Sequence, residues 1–232
     1  MTVEEVKNAI RNVPDFPIPG IQFKDITTAL DKPECLKWMR DEMVRRYKNL
    51  GITQVVGIES RGFILAPAVA MEIGAGFVPI RKPNKLPAET VSVTYAKEYG
   101  EDVIQIHKDA LDENDVVLIH DDILATGGSM AAAIELVKKL GVKKIYVNCL
   151  IELEGLPGRK VLSEAGAEVD CLMGIEGAPL RPQDSMVRPR TAHRRRHRRT
   201  YRDHRAHLSC QYVTLCGLRR RERPAVCRPA RS

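Results

Sequence analysis

Asp121 and Asp122 stand side by side where the apolar run Val116–Ile119 ends, and the segment Ala125-Thr126-Gly127-Gly128-Ser129 follows almost at once. Two consecutive glycines let a backbone turn sharply and come close to a ligand. The free N–H groups of a helix starting there, with the Thr126 and Ser129 hydroxyls, suit a phosphate. Two carboxylates beside a phosphate would repel it and need another partner. Sugar hydroxyls, met directly or through a divalent cation, satisfy them. A phosphate cradle next to two sugar-binding acids describes a ribose 5-phosphate site. The plainer reading of the same spacing is an ordinary strand–turn–helix with a solvated acidic pair. The segment is neither a P-loop, since no Gly-Lys-Ser or Gly-Lys-Thr follows, nor a GxGxxG dinucleotide loop.

Other polar turns follow apolar runs. Glu59-Ser60-Arg61-Gly62 comes after Gln54–Ile58, and its amides with the Arg61 guanidinium offer an oxyanion site; taken alone, Arg61 also reads as a solvated charge. Arg81, Lys82 and Lys85 form a basic loop after Gly76–Ile80. Phe23 offers a stacking face in a polar turn, or a core plug. His107 and His120 are separated and have no ligand set around them, and His120 reads as structural. Cys35, Cys149 and Cys171 lack metal spacing and are expected in the core.

These residues need a scaffold, and the patterning supplies one. Thr2 and Glu5 have capping-box spacing, with Val3, Val6, Ala9, Ile10 and Val13 on one helical face. Pro14, Pro17, Pro19 and Gly20 impose a loop. The expected elements then run helix 33–50, strand 54–58, helix 62–73 and strand 76–80. A polar stretch over 81–102 contains the alternating segment Thr90–Tyr95, and a second alternating segment, Val103–His107, follows. Strand 116–119, helix 128–140, strand 144–150, helix 159–165 and strand 168–173 complete the pattern. Apolar strands separated by helices predict an α/β fold, a central, mainly parallel sheet flanked by helices. Ligands in such folds bind at the carboxyl ends of strands.

The chain has 232 residues, a formal net charge of +7 and 44% hydrophobic residues. That length suits one domain with an appendage. No apolar run approaches a membrane span, and the opening MTVEEVKNAI has no apolar h-region. The expectation is a cytoplasmic protein without membrane association. The charge is unevenly spread. Residues 178–232 hold 16 Arg, no Lys and three acids, a charge of +13, which leaves residues 1–177 at −6. Residues 1–177 use 14 Lys and 7 Arg whereas the tail uses Arg alone, a switch that electrostatics does not demand. Residues 1–177 are therefore expected to be the folded domain and 178–232 a separate Arg-rich tail.

Five segments carry a resemblance in order and register. DDILATGGS (121–129) closely resembles the phosphoribosyl pyrophosphate motif of type I phosphoribosyltransferases. FPIPGIQFKDIT (16–27), GIESRGFILAP (57–67), VPIRKPNKLP (78–87) and KEYGEDVIQIHKDA (97–110) narrow the resemblance to the adenine phosphoribosyltransferase family over residues 3–175. It implies the type I fold with a flexible hood loop, and transfer of phosphoribosyl from 5-phosphoribosyl 1-pyrophosphate (PRPP) to adenine, giving AMP and pyrophosphate in purine salvage. It implies a homodimer, and Mg²⁺ bound through the substrate rather than by a protein metal site.

Residue by residue, the resemblance implies Asp121, Asp122 and Ala125–Ser129 (Ala125, Thr126, Gly127, Gly128, Ser129) on ribose 5-phosphate. It implies Glu59, Ser60, Arg61, Arg81, Lys82 and Lys85 on pyrophosphate, with a cis peptide at Glu59-Ser60. Adenine is expected against Phe23, its edge read by the Gln22 and Lys24 main chain; many relatives have Arg where this chain has Lys24. Glu98, Tyr99 and Arg61 are the implied catalytic residues, with Glu98 in the hood loop accepting the adenine proton. Two rival readings are a metabolite-sensing regulator with a nucleic-acid-binding tail and a transferase for another purine.

The tail lies outside the resemblance. His204, His207, Cys210 and Cys216 invite a zinc reading, but their spacing matches no common finger. RRRHRR (194–199) would bind nucleic acid nonspecifically and with strong salt dependence. The loss of Lys, the abrupt onset near Ala178 and the absence of periodicity instead favour a disordered, functionally incidental tail, hypothetically a frameshift product.

Overall fold

The computed structural model describes residues 1–16, 19–97 and 100–177. The expectations for Glu98, Tyr99 and the 178–232 tail lie outside the described residues.

Helix α1 (Val3–Ala9) begins with the expected capping box. Glu5 N donates to Thr2 Oγ1, and Thr2 N donates to Glu5 Oε2. Val13 does not continue that helix. The chain turns extended at Ile10, and β1 (Arg11–Pro14) pairs antiparallel with β2 (Gln22–Asp25), setting Val13 opposite Phe23. The Arg11 guanidinium on Asp25 and the Asn12 amide on Gln22 favour pairing over another helical turn. The short helix α2 (Thr27–Leu30) follows.

Helix α3 (Pro33–Tyr47) starts at a proline and buries Cys35, Met39, Met43 and Tyr47, one residue per turn. It stops short of Leu50. Beyond β3 (Gln54–Ile58), the expected single helix from Gly62 is broken into a 3₁₀ turn, Arg61–Phe63, and α4 (Ala66–Ile73). Pro67 explains the break, because it lacks an N–H and its ring clashes with the carbonyl four residues back. Gly74, at φ 74°, caps α4 in the left-handed region, and β4 (Gly76–Ile80) follows.

Within the stretch read as polar loop, β5 (Thr90–Lys97) pairs antiparallel with β6 (Gly100–His107), in register from Thr90–His107 to Lys97–Gly100. The alternation that marked Thr90–Tyr95 and Val103–His107 is the pattern of a half-buried hairpin. Val93, Ile104 and Ile106 are its buried face. Strand β7 (Val116–Leu124) runs five residues beyond the expected Ile119, so the acidic pair sits inside the strand. The remaining elements are α5 (Gly128–Lys138), β8 (Lys144–Glu154), α6 (Gly158–Glu164) and β9 (Val169–Glu176). The last two strands also outrun their apolar cores.

The main sheet has the order β4-β3-β7-β8-β9, with every pairing parallel. Alternate residues supply two cores. Val56, Ile58, Val117 and Ile119 pack with α5, α6 and the β5–β6 hairpin. Val55 and Leu118 pack with α1, α3 and α4. Leu118 is fully buried, and truncating such a side chain to alanine costs about 2–5 kcal/mol. From β3 the chain crosses outward to β4, then returns to lay β7 on β3's other side. The carboxyl ends of β3 and β7 therefore flank a topological switch point, where an open α/β sheet leaves a crevice for ligands.

Candidate active site

A cavity of about 210 Å³ occupies this crevice. The end of β3 and the following turn contribute Glu59, Ser60 and Arg61; β7 contributes Asp121 and Asp122; α5 contributes Ser129. The basic loop after β4 adds Lys82, and the hairpin adds Tyr95. Five segments spread over residues 59 to 129 thus converge on one space.

Asp122 is buried, and its Oδ2 lies 3.0 Å from Arg61 Nε. That oxygen still lacks an aligned hydrogen-bond donor, so the contact is a charge pair rather than a directed bond. Burial, reinforced by the charge of Asp122, pushes the Asp121 carboxyl upward. Burial also raises Asp122, while Arg61 pulls it back down. Two acids held in this way gain from hydroxyl donors or a cation. The Glu59-Ser60 peptide is cis, as the resemblance implied.

The glycine-rich segment is a bend leading into α5, with Gly127 at φ 85° as the helix N-cap and no side chain capping the helix. A Cβ on Gly127 would come within 2.9 Å of the Gly158 carbonyl oxygen, so close packing as well as backbone conformation requires glycine. Among the cradle candidates, Ser129 lines the cavity, whereas Ala125, Thr126 and Gly127 form the adjoining turn and Gly128 opens α5.

Glu59 faces the basic loop. It accepts from Arg81 Nε at 2.9 Å and from Lys82 N at 2.8 Å, and Arg81 holds its carboxyl below the usual range. An anionic carboxylate cannot itself attract pyrophosphate, so Glu59's geometry is that of an anchor for the cationic loop. Arg81 stands 5.8 Å from the Phe63 ring centroid, outside the cavity lining, and Lys85 is exposed nearby.

Phe23 lies next to the cavity through Arg61, whose guanidinium carbon is 5.6 Å from the ring centroid. Phe16 meets the same ring edge-on at 5.1 Å. The Gln22 and Lys24 side chains both bond to Asn12, so each is committed within the β1–β2 ribbon. The β1–β2 ribbon has two strands, so among the described residues the outer edge of β2 carries backbone donors and acceptors without a ladder partner.

His120 is buried, its Nδ1 2.9 Å from Asn148 Oδ1, and burial lowers its pKa to about 4. It stays neutral and bonds away from the acids, as expected of a structural histidine. Cys35 and Cys149 are buried and Cys171 half-buried. Tyr95, Asp102 and Ile104 were missed from sequence: they sit in an ordinary alternating strand pair, and only the folding of the hairpin onto the sheet brings them to the site.

A doubly wound parallel sheet with paired acids, a glycine-rich turn and cationic side chains at its switch point defines an α/β protein with a polar ligand crevice. Residues 29–171 match the family model described as phosphoribosyl transferase domain. The chain belongs to the adenine phosphoribosyltransferase family. It is 62% identical over 175 residues to the adenine phosphoribosyltransferase of Phocaeicola vulgatus, covering 75% of this chain and 100% of that relative. The Giardia lamblia enzyme complexed with 9-deazaadenine superposes with a TM-score of 0.73 at 43% identity, covering 76% of this chain and 99% of that one. The Trypanosoma brucei adenine phosphoribosyl transferase, in complex with AMP, pyrophosphate and ribose-5-phosphate, gives 0.67 at 28% identity, covering 74% and 78%. Among the described residues, no helix is long and apolar enough to cross a membrane.

Proposed function

We propose that this chain makes AMP and pyrophosphate from adenine and PRPP, as an enzyme of purine salvage. The observation that carries the reading is the convergence of Asp121, Asp122, Arg61, Lys82 and Ser129 on one cavity at the switch point. A transferase for another purine would use the same groups beside the same aromatic face, so the choice of adenine is supported by the relatives rather than by the pocket.

In this reading the 5′-phosphate of PRPP sits on the turn Ala125–Ser129, with the Ser129 hydroxyl and the α5 amides as donors. Asp121 and Asp122 take the ribose hydroxyls. Arg61, Lys82, Arg81 and Lys85 face the pyrophosphate, with Ser60 contributing its turn and Glu59 bracing the loop. Positive charge matters most there, because charge builds on pyrophosphate as its bond to C1 breaks. Adenine stacks on Phe23, and the main chain of Gln22 and Lys24 reads its edge. The base nitrogen then attacks C1, the C1–oxygen bond to pyrophosphate breaks, and Glu98 accepts the nitrogen's proton, with Tyr99 beside it in the hood.

Mg²⁺ fits this donor set as a substrate-borne ion. Asp121 and Asp122, the second already paired with Arg61, would offer carboxylate oxygens to a cation carried in on the substrate. Such an ion would neutralise the diphosphate. We read residues 1–177 as the catalytic unit, acting in the cytoplasm as a homodimer, and the 178–232 tail as incidental to it.

A competition assay tests the base. The full chain is given PRPP with equimolar adenine, hypoxanthine and guanine, and the products are separated. AMP as the dominant product supports the reading, whereas IMP or GMP in excess makes the chain a transferase for another purine. Tight PRPP binding without any nucleotide formed would favour the sensor.

A further inference from the structure

The hairpin places a side chain between the two anion-binding ends of the cavity. The Tyr95 hydroxyl accepts from Ser129 Oγ at 3.1 Å and donates to Asp102 Oδ2 at 3.3 Å. Asp102 is ion-paired with the Lys82 ammonium, which also lies 5.9 Å from the Tyr95 ring centroid. The Tyr95 ring borders the first turn of α5, since a Cβ on Gly128 would touch its Cδ2 at 3.6 Å. A continuous hydrogen-bonded path therefore runs from the helix start, through one phenol, to the cation of the basic loop.

We propose that Tyr95 is a positioning residue for the phosphoribosyl donor, setting the Ser129 hydroxyl at one end of the cavity and, through Asp102, the Lys82 ammonium at the other. The inference rests on the reading above, in which Ser129 meets the 5′-phosphate and Lys82 the pyrophosphate. A serine hydroxyl has one proton and a free rotor, so an unsupported Ser129 spreads over three staggered orientations. The phenol restricts it. A phosphate oxygen, being anionic, accepts more strongly than a phenol and takes the Ser129 proton. The single proton of the Tyr95 phenol stays directed at the anionic Asp102, so what Tyr95 sets is the position of Oγ before the donor arrives, together with the Asp102–Lys82 pair. Mutual polarisation along such a chain strengthens each bond.

Tyr95→Phe removes the hydroxyl and keeps the ring against Gly128 and Lys82. In steady-state assays of the full chain, we expect KM for PRPP to rise on the order of three- to tenfold, the effect of losing one charge-assisted contact, with KM for adenine unchanged. A double-mutant cycle separates positioning from structural damage. Because part of the Tyr95 effect runs through Ser129 and the rest through Asp102 to Lys82, Tyr95→Phe added to Ser129→Ala should weaken PRPP binding by less than Tyr95→Phe does in the unsubstituted chain. Fully additive losses, an equal rise in both KM values, or no change would overturn the inference. Titration of PRPP without adenine keeps the two readings apart. Normal PRPP binding with no AMP formed sinks the adenine reading alone, whereas a Tyr95→Phe chain that binds PRPP as tightly as the unsubstituted one sinks the inference alone.

Discussion

A Cβ atom on Gly62 would lie 2.6 Å from the carbonyl oxygen of His120 and 3.4 Å from Asp121 Oδ1. The turn that carries Arg61 thus rests directly on the strand that carries the acidic pair. This contact lets Arg61 Nε reach Asp122 at 3.0 Å although the two residues are 61 positions apart.

Gly62→Ala must lift that turn, because a backbone carbonyl cannot move aside as a flexible side chain would. Overpacking of this kind costs about 1–3 kcal/mol. We expect a lower Tm and weaker PRPP binding in titration, the second effect because Arg61 is carried away from Asp122. Unchanged PRPP binding would show that the close approach does not set the site.

His120 titrates from about 4 in the folded chain against 6.5 in the unfolded one, because burial opposes its charge. Between those values the unfolded state binds more protons, so stability falls as pH drops from 6.5 to 4, by about 3 kcal/mol. Asp121, raised in the fold, holds its proton there and pulls the other way. Asp25 and Glu42, each held near 2, the first mainly by Thr27 and the second mainly by Arg45, lose their stabilisation as pH falls below their unfolded values. Comparison of the unsubstituted chain with His120→Gln isolates the histidine. Thermal unfolding of the variant should depend less on pH between 6.5 and 4, and parallel curves would refute the assignment.

Glu98→Ala should cut kcat by roughly 10²–10⁴-fold, the range of a lost general base, while PRPP affinity stays near its original value. Single-turnover kinetics and PRPP titration read the two quantities separately. Equal losses in both would argue against proton transfer.

A chain ending at Gly177 should fold and make AMP. Strand β9 closes at Glu176, and Gly177 N donates to Glu154 O at 2.9 Å, so the last described residue is still tied to the sheet. Failure of the shortened chain to form AMP, with its unfolding still cooperative, would place a functional group in residues 178–232.

Most of the framework was legible because a buried parallel strand must be apolar on both faces. Gln54–Ile58 and Gly76–Ile80 announced themselves to the residue. Strand ends were harder: Asp121 and Asp122 broke the apolar run, yet pairing with β8 carries β7 through them. The helix expected from Gly62 failed at Pro67, where the local proline rule overrode the longer apolar pattern. Within the polar 81–102 stretch the alternation of Thr90–Tyr95 was visible, but its pairing with Val103–His107 was not, because alternation marks a half-buried strand without naming its partner.

The acids, the glycine turn and the basic loop were determined by the sequence itself, since their chemistry depends on residue type and short spacing. Which of them meet was decided only by the tertiary structure. Arg61 on Asp122, Glu59 on Arg81, and Tyr95 between Ser129 and Asp102 are contacts across 7 to 61 positions of chain. They arise because the reversal of strand order brings the ends of β3 and β7 together and the hairpin folds over them, and no local pattern encodes that approach.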